Sequence, residues 1–283
     1  MSSSLKRLLD DIGGTWRSMP AGQALRWYAA VLRHAPAIVR SRKFYPADAA
    51  MRGELRFHVL DRDLTVDVDA INTTAGNGYA FLRELFVRQI YFRAFRQLRF
   101  DTCLDLGCNT GVVASCLRSL GGAEGRVYGV DPLSYPDSTF RARAAKTPGI
   151  TLEQRVLCGE SIRHDADELR ALCEPYGFDP ALAATVEEVM DAHHLDRIDF
   201  LKMDIEGAEF RIFRDSVRWL GRVDNLAMEV HNQVGDPTEI VDRLRAAGFK
   251  VKWLSDSGYA TSSRDAGYIY ASSVDSLRVY ETD

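Results

Sequence analysis

Apolar positions change period several times within the first hundred residues. Leu25, Tyr28, Ala29 and Leu32 recur at helical spacing and stop before Pro36, which predicts a short amphipathic helix. Leu55, Phe57 and Val59 then alternate with polar residues, as do Leu64, Val66 and Val68. With Asp61-Arg62-Asp63 between them as a turn, the two runs predict a β-hairpin. Ile71 to Gly78, rich in Asn, Thr and Gly, is a predicted loop. Tyr79 to Phe95 follows as a long predicted helix with Leu82, Leu85, Phe86, Ile90 and Tyr91 turned inward.

From Thr102 onward short apolar runs alternate with helical patterns, which predicts an α/β fold with a mostly parallel sheet and helices on both faces. The predicted strands are Cys103 to Leu106, Arg126 to Asp131, Thr151 to Leu157, Asp199 to Asp204 and Leu226 to His231. Helices are predicted from Gly111 to Leu120, from a Thr185/Glu188 capping box to His194, and from near Glu206. Another opens with Asp236 as N-cap and Pro237 at its first position and ends at Ala247-Gly248. Lys250 to Leu254 and Gly267 to Ala271 then close the chain as an antiparallel hairpin.

Composition narrows the classes. The chain has 283 residues, 46% hydrophobic and 27% charged, enough for one large domain or one with an appendage. The pattern shifts near Phe100, so the expected division is an N-terminal cap of helices and hairpin over 1–100 and a sheet domain over 101–283. Five cysteines, odd in number and without a CxxC pair, fit neither a disulfide framework nor a structural zinc site, and point to a reducing, cytoplasmic setting. Charges break up the first apolar stretch and no apolar run is long enough for a span, so neither a signal peptide nor a membrane span is expected. A formal charge of -4 speaks against bulk nucleic acid as a partner.

The first chemical motif follows the first strand of that sheet: Asp105-Leu106-Gly107-Cys108-Asn109-Thr110-Gly111. Gly107 and Gly111 let the backbone pass close to a ligand, and the helix behind them presents free N–H groups. Asp131, at the end of the next strand, is placed to accept both hydroxyls of a ribose. A dinucleotide fingerprint would need a second glycine between Cys108 and Gly111, and a Walker loop a Gly-Lys-Ser/Thr; neither is present. A carboxylate at Asp105 would repel a pyrophosphate and suits the ammonium of a methionine moiety, so the pattern favours S-adenosylmethionine.

The second motif is Lys202-Met203-Asp204-Ile205-Glu206-Gly207-Ala208-Glu209, with Glu229-Val230-His231 at the end of the following strand. Together these resemble the FkbM family of S-adenosylmethionine-dependent methyltransferases, over about Glu84 to Trp253, with Cys108 and Asp131 standing where the family more often has Ala and Glu. The resemblance implies a class I methyltransferase (Rossmann-like) fold with a seven-stranded, mostly parallel sheet. It implies S-adenosylmethionine as cofactor, S-adenosylhomocysteine as product, and O-methylation of a sugar, glycolipid, polysaccharide or polyketide-type hydroxyl. It also makes Glu84 and Tyr91, on the helix before the sheet, acceptor contacts; Glu206 is a further expected acceptor-binding residue. An N/D-P-P-Y sequence, carried by many amino-group methyltransferases after strand four, is missing.

The expected cofactor contacts are Asp105, Gly107, Asn109, Thr110, Gly111, Asp131, Pro132, Gly159, Glu160 and Asp204. The expected catalytic groups are His231 as general base, its ordinary pKa lying near 6.5, with Asp204 and Glu229 orienting it, the cofactor or the acceptor. Asp204, Glu229 and His231 are also chemically able to collect a divalent ion, which is allowed but not predicted. His193 and His194 are expected in solvent, and Glu206 and Glu209 as acidic residues of a helix start. Arg88, Arg93, Arg96 and Arg99 are expected on a solvated helix face. A nicotinamide-dependent oxidoreductase and a non-catalytic adenosyl-binding module are the alternatives, and a homodimer stays open.

Overall fold

The computed structural model describes residues 3–41, 43–71, 78–134, 139–256 and 258–278. Two compact units emerge: residues 1–93 with 138–140, and residues 94–137 with 141–283.

The N-terminal unit begins with three helices, α1 (Ser3–Ser18), α2 (Ala21–Arg33) and α3 (Ala35–Ser41), followed by the hairpin β1 (Glu54–Val59) and β2 (Arg62–Asp67). The helix predicted around Leu25 exists, but it buries the opposite face: Ala24, Trp27 and Ala30 point inward while Leu25 and Leu32 are exposed. Both faces carry apolar residues three and four apart, so periodicity alone does not choose between them. Trp27 settles the matter, because its indole N–H donates to buried Asp48 Oδ1 at 3.0 Å. Val59 pairs with Arg62, so the hairpin turn is Leu60-Asp61 rather than Asp61-Arg62-Asp63, with Leu60 at φ +56°. The predicted loop over Ile71 to Gly78 falls mostly on residues outside those described. The long helix predicted to Phe95 stops at Val87: a helix over Gly78–Leu82 widens into a π turn over Arg83–Val87, and Gln89 reverses the chain at φ +51°. Its five inward residues are nonetheless all buried.

That π turn places Arg83 inside the unit. Its guanidinium meets Asp11 Oδ2 at 2.7 Å and Asp48 at 3.0 and 3.2 Å, while Arg88 holds the other side of Asp11. Arg88 is therefore paired and largely buried, whereas Arg96 and Arg99 stay exposed beside Asp275 and Asp101, outside any helix.

The larger unit is built on seven strands in the order β10-β11-β9-β8-β3-β4-β5. They are β3 (Thr102–Leu106), β4 (Arg126–Asp131), β5 (Ile150–Gln154), β8 (Phe200–Met203), β9 (Asn225–Glu229), β10 (Lys250–Leu254) and β11 (Tyr268–Ser272). β6 (Val156–Leu157) and β7 (Ala183–Ala184) form a separate parallel pair, so the predicted third strand is split at Arg155. Only β11 runs against the rest, inserted between β9 and β10. Leu104, Leu106, Leu201, Met203, Leu226 and Met228 share one sheet face and form the centre of the core. Alternation then sends Asp105, Lys202 and Asp131 to the opposite face. The capping box at Thr185/Glu188 and the Asp236 cap are both formed. No described helix is long and apolar enough to cross a membrane.

Removing Arg83 would leave buried Asp48 without its cation and buried Asp11 with Arg88 alone. Arg83→Met is expected to destabilise the N-terminal unit by about 3–5 kcal/mol, read from urea unfolding; a loss below about 1 kcal/mol, the range of exposed pairs, would show that the network is not structural.

Candidate active site

Strand order reverses between β3 and β8, and in open α/β sheets the ligand crevice lies beyond the carboxyl ends of the strands at that point. Here the two exits touch. Asp204 N–H donates to Leu106 O at 3.0 Å, and a Cβ on Gly107 would lie 1.6 Å from Asp204 O. Gly107, at φ +77°, is thus fixed by close backbone approach as well as by its turn.

Lys202 is the charged centre of this junction. It is 2% exposed; its Nζ donates to Gly107 O at 2.6 Å and stands 3.2 Å from Asp105 Oδ1 and 3.9 Å from Asp204 Oδ2. Burial would lower its pKa, but Asp105 and Asp204 outweigh that, and the net shift is upward, so the ammonium is kept. Asp105 is fully buried against it. The structure therefore corrects the expectation that Asp105 opens toward a ligand ammonium: its partner is Lys202, and Asp204, partly exposed, is the acid at the crevice.

The glycine turn hangs from Asp131. Its Oδ2 accepts from Asn109 N at 2.8 Å and its Oδ1 from Leu133 N at 2.9 Å, next to Pro132. Asn109 itself, at φ +48°, caps Thr110 N, and Gly111 at φ +88° opens the helix Val112–Leu120. Burial raises the Asp131 pKa, opposed by those two N–H groups. The buried guanidinium of Arg141 donates to Asn109 O at 2.5 Å and approaches Cys108 Sγ at 3.6 Å. Nothing in the sequence marks Arg141, 32 residues from its partner. Gly159 and Glu160 belong to a different cluster: a Cβ on Gly159 would meet Asp215 and the Arg211 carbonyl, and Glu160 is exposed.

At the exit of β9, His231 lies between two carboxylates. Nδ1 is 3.3 Å from Glu209 Oε1, and Nε2 is 3.2 Å from Glu206 Oε2. Glu209 was expected only as a helix-start acid; it is fully buried, its Oε1 also accepting from Ile205 N at 3.0 Å. Glu206 lies in the turn before that helix, which begins at Glu209, with φ +55° and its side chain in solvent. The hydrogen bond that Nδ1–H donates to Glu209 raises the His231 pKa to about 9, against burial, so the ring is protonated at neutral pH. An ordinary imidazole pKa, the ground on which His231 was expected to act as base, does not hold here.

The carboxylates of Asp204 and Glu206 and the imidazole of His231 come within 4.8 Å of one another. Glu206 thus takes the place expected for Glu229 in this group, and a divalent ion there would have to displace the imidazole proton. Glu229 ends β9 opposite Tyr268, partly buried, on the Lys202 face of the sheet. His193 is not in solvent as expected; its ring lies tilted against Tyr128, centroids 4.8 Å apart, and meets Glu153 at 3.2 Å. In the N-terminal unit Glu84 pairs with Arg88 at 2.9 Å and Tyr91 is buried. The sequence put Lys202 and Glu209 in its motif but outside its site; their burial is what gives them roles.

Glycine where a side chain would strike the facing backbone, an anchored acid at the end of β4 and a partly open acid at the end of β8 fit an adenosyl ligand with an amino-acid tail. Among solved structures the chain is similar to the Aeropyrum pernix fibrillarin with bound S-adenosyl-L-methionine, at 17% identity over 78% of this chain and 94% of that one, TM-score 0.39. It is also similar to a SAM-dependent O-methyltransferase from Thermotoga maritima, at 14% identity over 83% and 97%, TM-score 0.36. A precorrin-6y C5,15-methyltransferase from Geobacter metallireducens gives 15% identity over 66% and 86%, TM-score 0.40. At such scores these likenesses add nothing to the sheet order. No curated protein sequence matches. The methyltransferase FkbM domain model matches residues 105–251, which include the glycine turn, the Lys202 to Glu209 string and His231. That is just over half of the chain, which belongs to the FkbM family of S-adenosylmethionine-dependent methyltransferases.

Proposed function

We propose that this methyltransferase acts on a hydroxyl, with His231 as the group that takes the acceptor's proton. The observation that carries the proposal is the imidazole held by buried Glu209 on Nδ1 while Nε2 faces an oxygen, that of Glu206, at 3.2 Å. An acceptor hydroxyl at the position of that oxygen would lie in hydrogen-bond reach of the base. The Asp-Ile-Glu-Gly exit after β8, in place of N/D-P-P-Y, supports oxygen over nitrogen. The family resemblance supports a sugar, glycolipid, polysaccharide or polyketide-type alcohol as the acceptor.

When bound, S-adenosylmethionine supplies an electrophilic methyl group on a sulfonium. Asp131 would take the ribose hydroxyls, Gly107 and Gly111 would let the turn close on the ligand, and Asp204 would face its amino group. Lys202 fixes the two strand exits from behind. His231 accepts the hydroxyl proton at Nε2 as the oxygen–carbon bond forms and the sulfur–carbon bond breaks, and Glu209 steadies the resulting imidazolium. Glu229 and Glu206 remain to orient the acceptor. The nicotinamide alternative has no feature here that favours it.

Because the folded pKa of His231 is raised to about 9, only the small neutral fraction serves as base at pH 7, and turnover should climb with pH through about 9. Glu209→Gln keeps the hydrogen bond, drops the charge, and is expected to move that limb down toward the ordinary ~6.5. A limb that stays put in the variant would detach Glu209 from the base. His231→Ala should cut turnover about 10²- to 10⁴-fold with S-adenosylhomocysteine affinity unchanged, and a fully active variant would end the proposal.

Asp131→Ala is expected to weaken S-adenosylhomocysteine binding about ten- to a hundredfold, the scale of hydrogen bonds to a charged group, by calorimetric titration. Equal affinity would remove Asp131 from the ribose. The acceptor itself calls for labelled methyl donor and a panel of sugar and polyketide alcohols, with and without chelator. Label transfer only to amines would sink the hydroxyl assignment, and activity abolished by chelator would replace the imidazole proton with a metal.

A further inference from the structure

Charge is distributed unevenly along the chain. Residues 1–45 hold eight Lys and Arg against two Asp, whereas the rest of the chain holds 28 against 38. One of those two acids, Asp11, is buried and consumed by Arg83 and Arg88. Among the described side chains of the first three helices, Arg17, Arg26, Arg33 and Arg40 are all exposed, so this surface is basic although the whole protein is acidic.

The same helices expose large apolar side chains in register. On α1, Leu9, Ile12 and Trp16 stand at i, i+3 and i+7, at 50%, 37% and 56% exposure. On α2, Leu25 and Leu32 are 57% and 77% exposed, with Tyr28 between them at the same spacing. The two stripes join, because Trp16 stacks on Tyr28 with ring centroids 6.5 Å apart and the Tyr28 hydroxyl donates to Ile12 O at 2.6 Å. Val39 on α3, 78% exposed, extends the apolar surface. Arg26, Arg33 and Arg40, each following one of Leu25, Leu32 and Val39, are exposed along its flank with Arg17.

Neither stripe faces the core, since α2 buries Ala24, Trp27 and Ala30 on its other side and α1 buries Asp11, Thr15 and Ser18. An apolar patch of this kind, rimmed by polar groups, marks an interaction surface. The rim decides the occupant. A second copy would set arginines against arginines, whereas an anionic bilayer takes Trp and Leu at the headgroup boundary and pairs lipid phosphates with the guanidinium groups. We propose that α1, α2 and α3 dock the protein, lying in the interface plane, on an anionic lipid surface. The proposal does not depend on the methyl-transfer assignment.

The test is co-sedimentation of the full chain with phosphatidylglycerol/phosphatidylcholine vesicles and with phosphatidylcholine vesicles, alongside tryptophan emission. The wild type should sediment with the anionic vesicles only and be released by salt, with a blue shift that Trp16→Phe loses. Leu25→Ser with Leu32→Ser, and Arg26→Glu with Arg33→Glu and Arg40→Glu, should each lower partitioning by at least about tenfold. All five positions are exposed, so thermal melting should not change. Wild-type protein left in the supernatant, or equal sedimentation with both vesicle types, overturns the proposal. So does a concentration-dependent dimer that Leu25→Ser with Leu32→Ser dissolves, which would assign the face to a second copy.

Discussion

A single buried ammonium governs the junction on which the site rests. Lys202 reaches from β8 to the carbonyls of Leu106 and Gly107 at the end of β3 and to the acids on either side of the strand gap. Taking such a charge out of water is costly unless it is matched on all sides. The matching requires β3 and β8 to end in register and the Gly107 backbone to lie against Asp204. The crevice geometry follows from satisfying that charge: Asp204 is left at the mouth, while Asp105 is withdrawn into the interior.

The second organising contact is that between Glu209 and His231. A buried carboxylate behind an imidazole does two things together. It fixes which ring nitrogen faces outward, and it makes the cation the resting form. Each of the two outward groups is therefore backed by buried charge: Asp204 by the Lys202–Asp105 pair, and His231 by the Glu209 carboxylate.

What was visible in the sequence was local. The capping box at Thr185/Glu188, the Asp236-Pro237 start, the bounds of β4 and β10 and the glycine turn depend on neighbours a few residues away. Hidden features depend on residues far along the chain. The inward face of α2 is decided by Asp48, 21 residues from Trp27; the need for glycine at 107 comes from the carbonyl of Asp204; the state of His231 comes from Glu209, 22 residues earlier. The predicted helix to Phe95 failed because apolar spacing continues past the π turn that aims Arg83 inward. Charges inside apolar strands were the most informative signal, and their partners the least predictable part.

The placement of β11 carries a consequence for how the chain is made. β11 is synthesised after β10 yet lies inside the sheet, hydrogen-bonded to β9 on one side and β10 on the other. Until residue 272 has left the ribosome, β9 is an open edge and β10 has no strand beside it. The crevice strands β3, β8 and β9 all precede β11 in the chain, so their pairing does not have to wait for the strand that closes the sheet. A nascent chain halted between β10 and β11 would carry β9 as an unpaired sheet edge, the kind of edge that chaperones shield from aggregation.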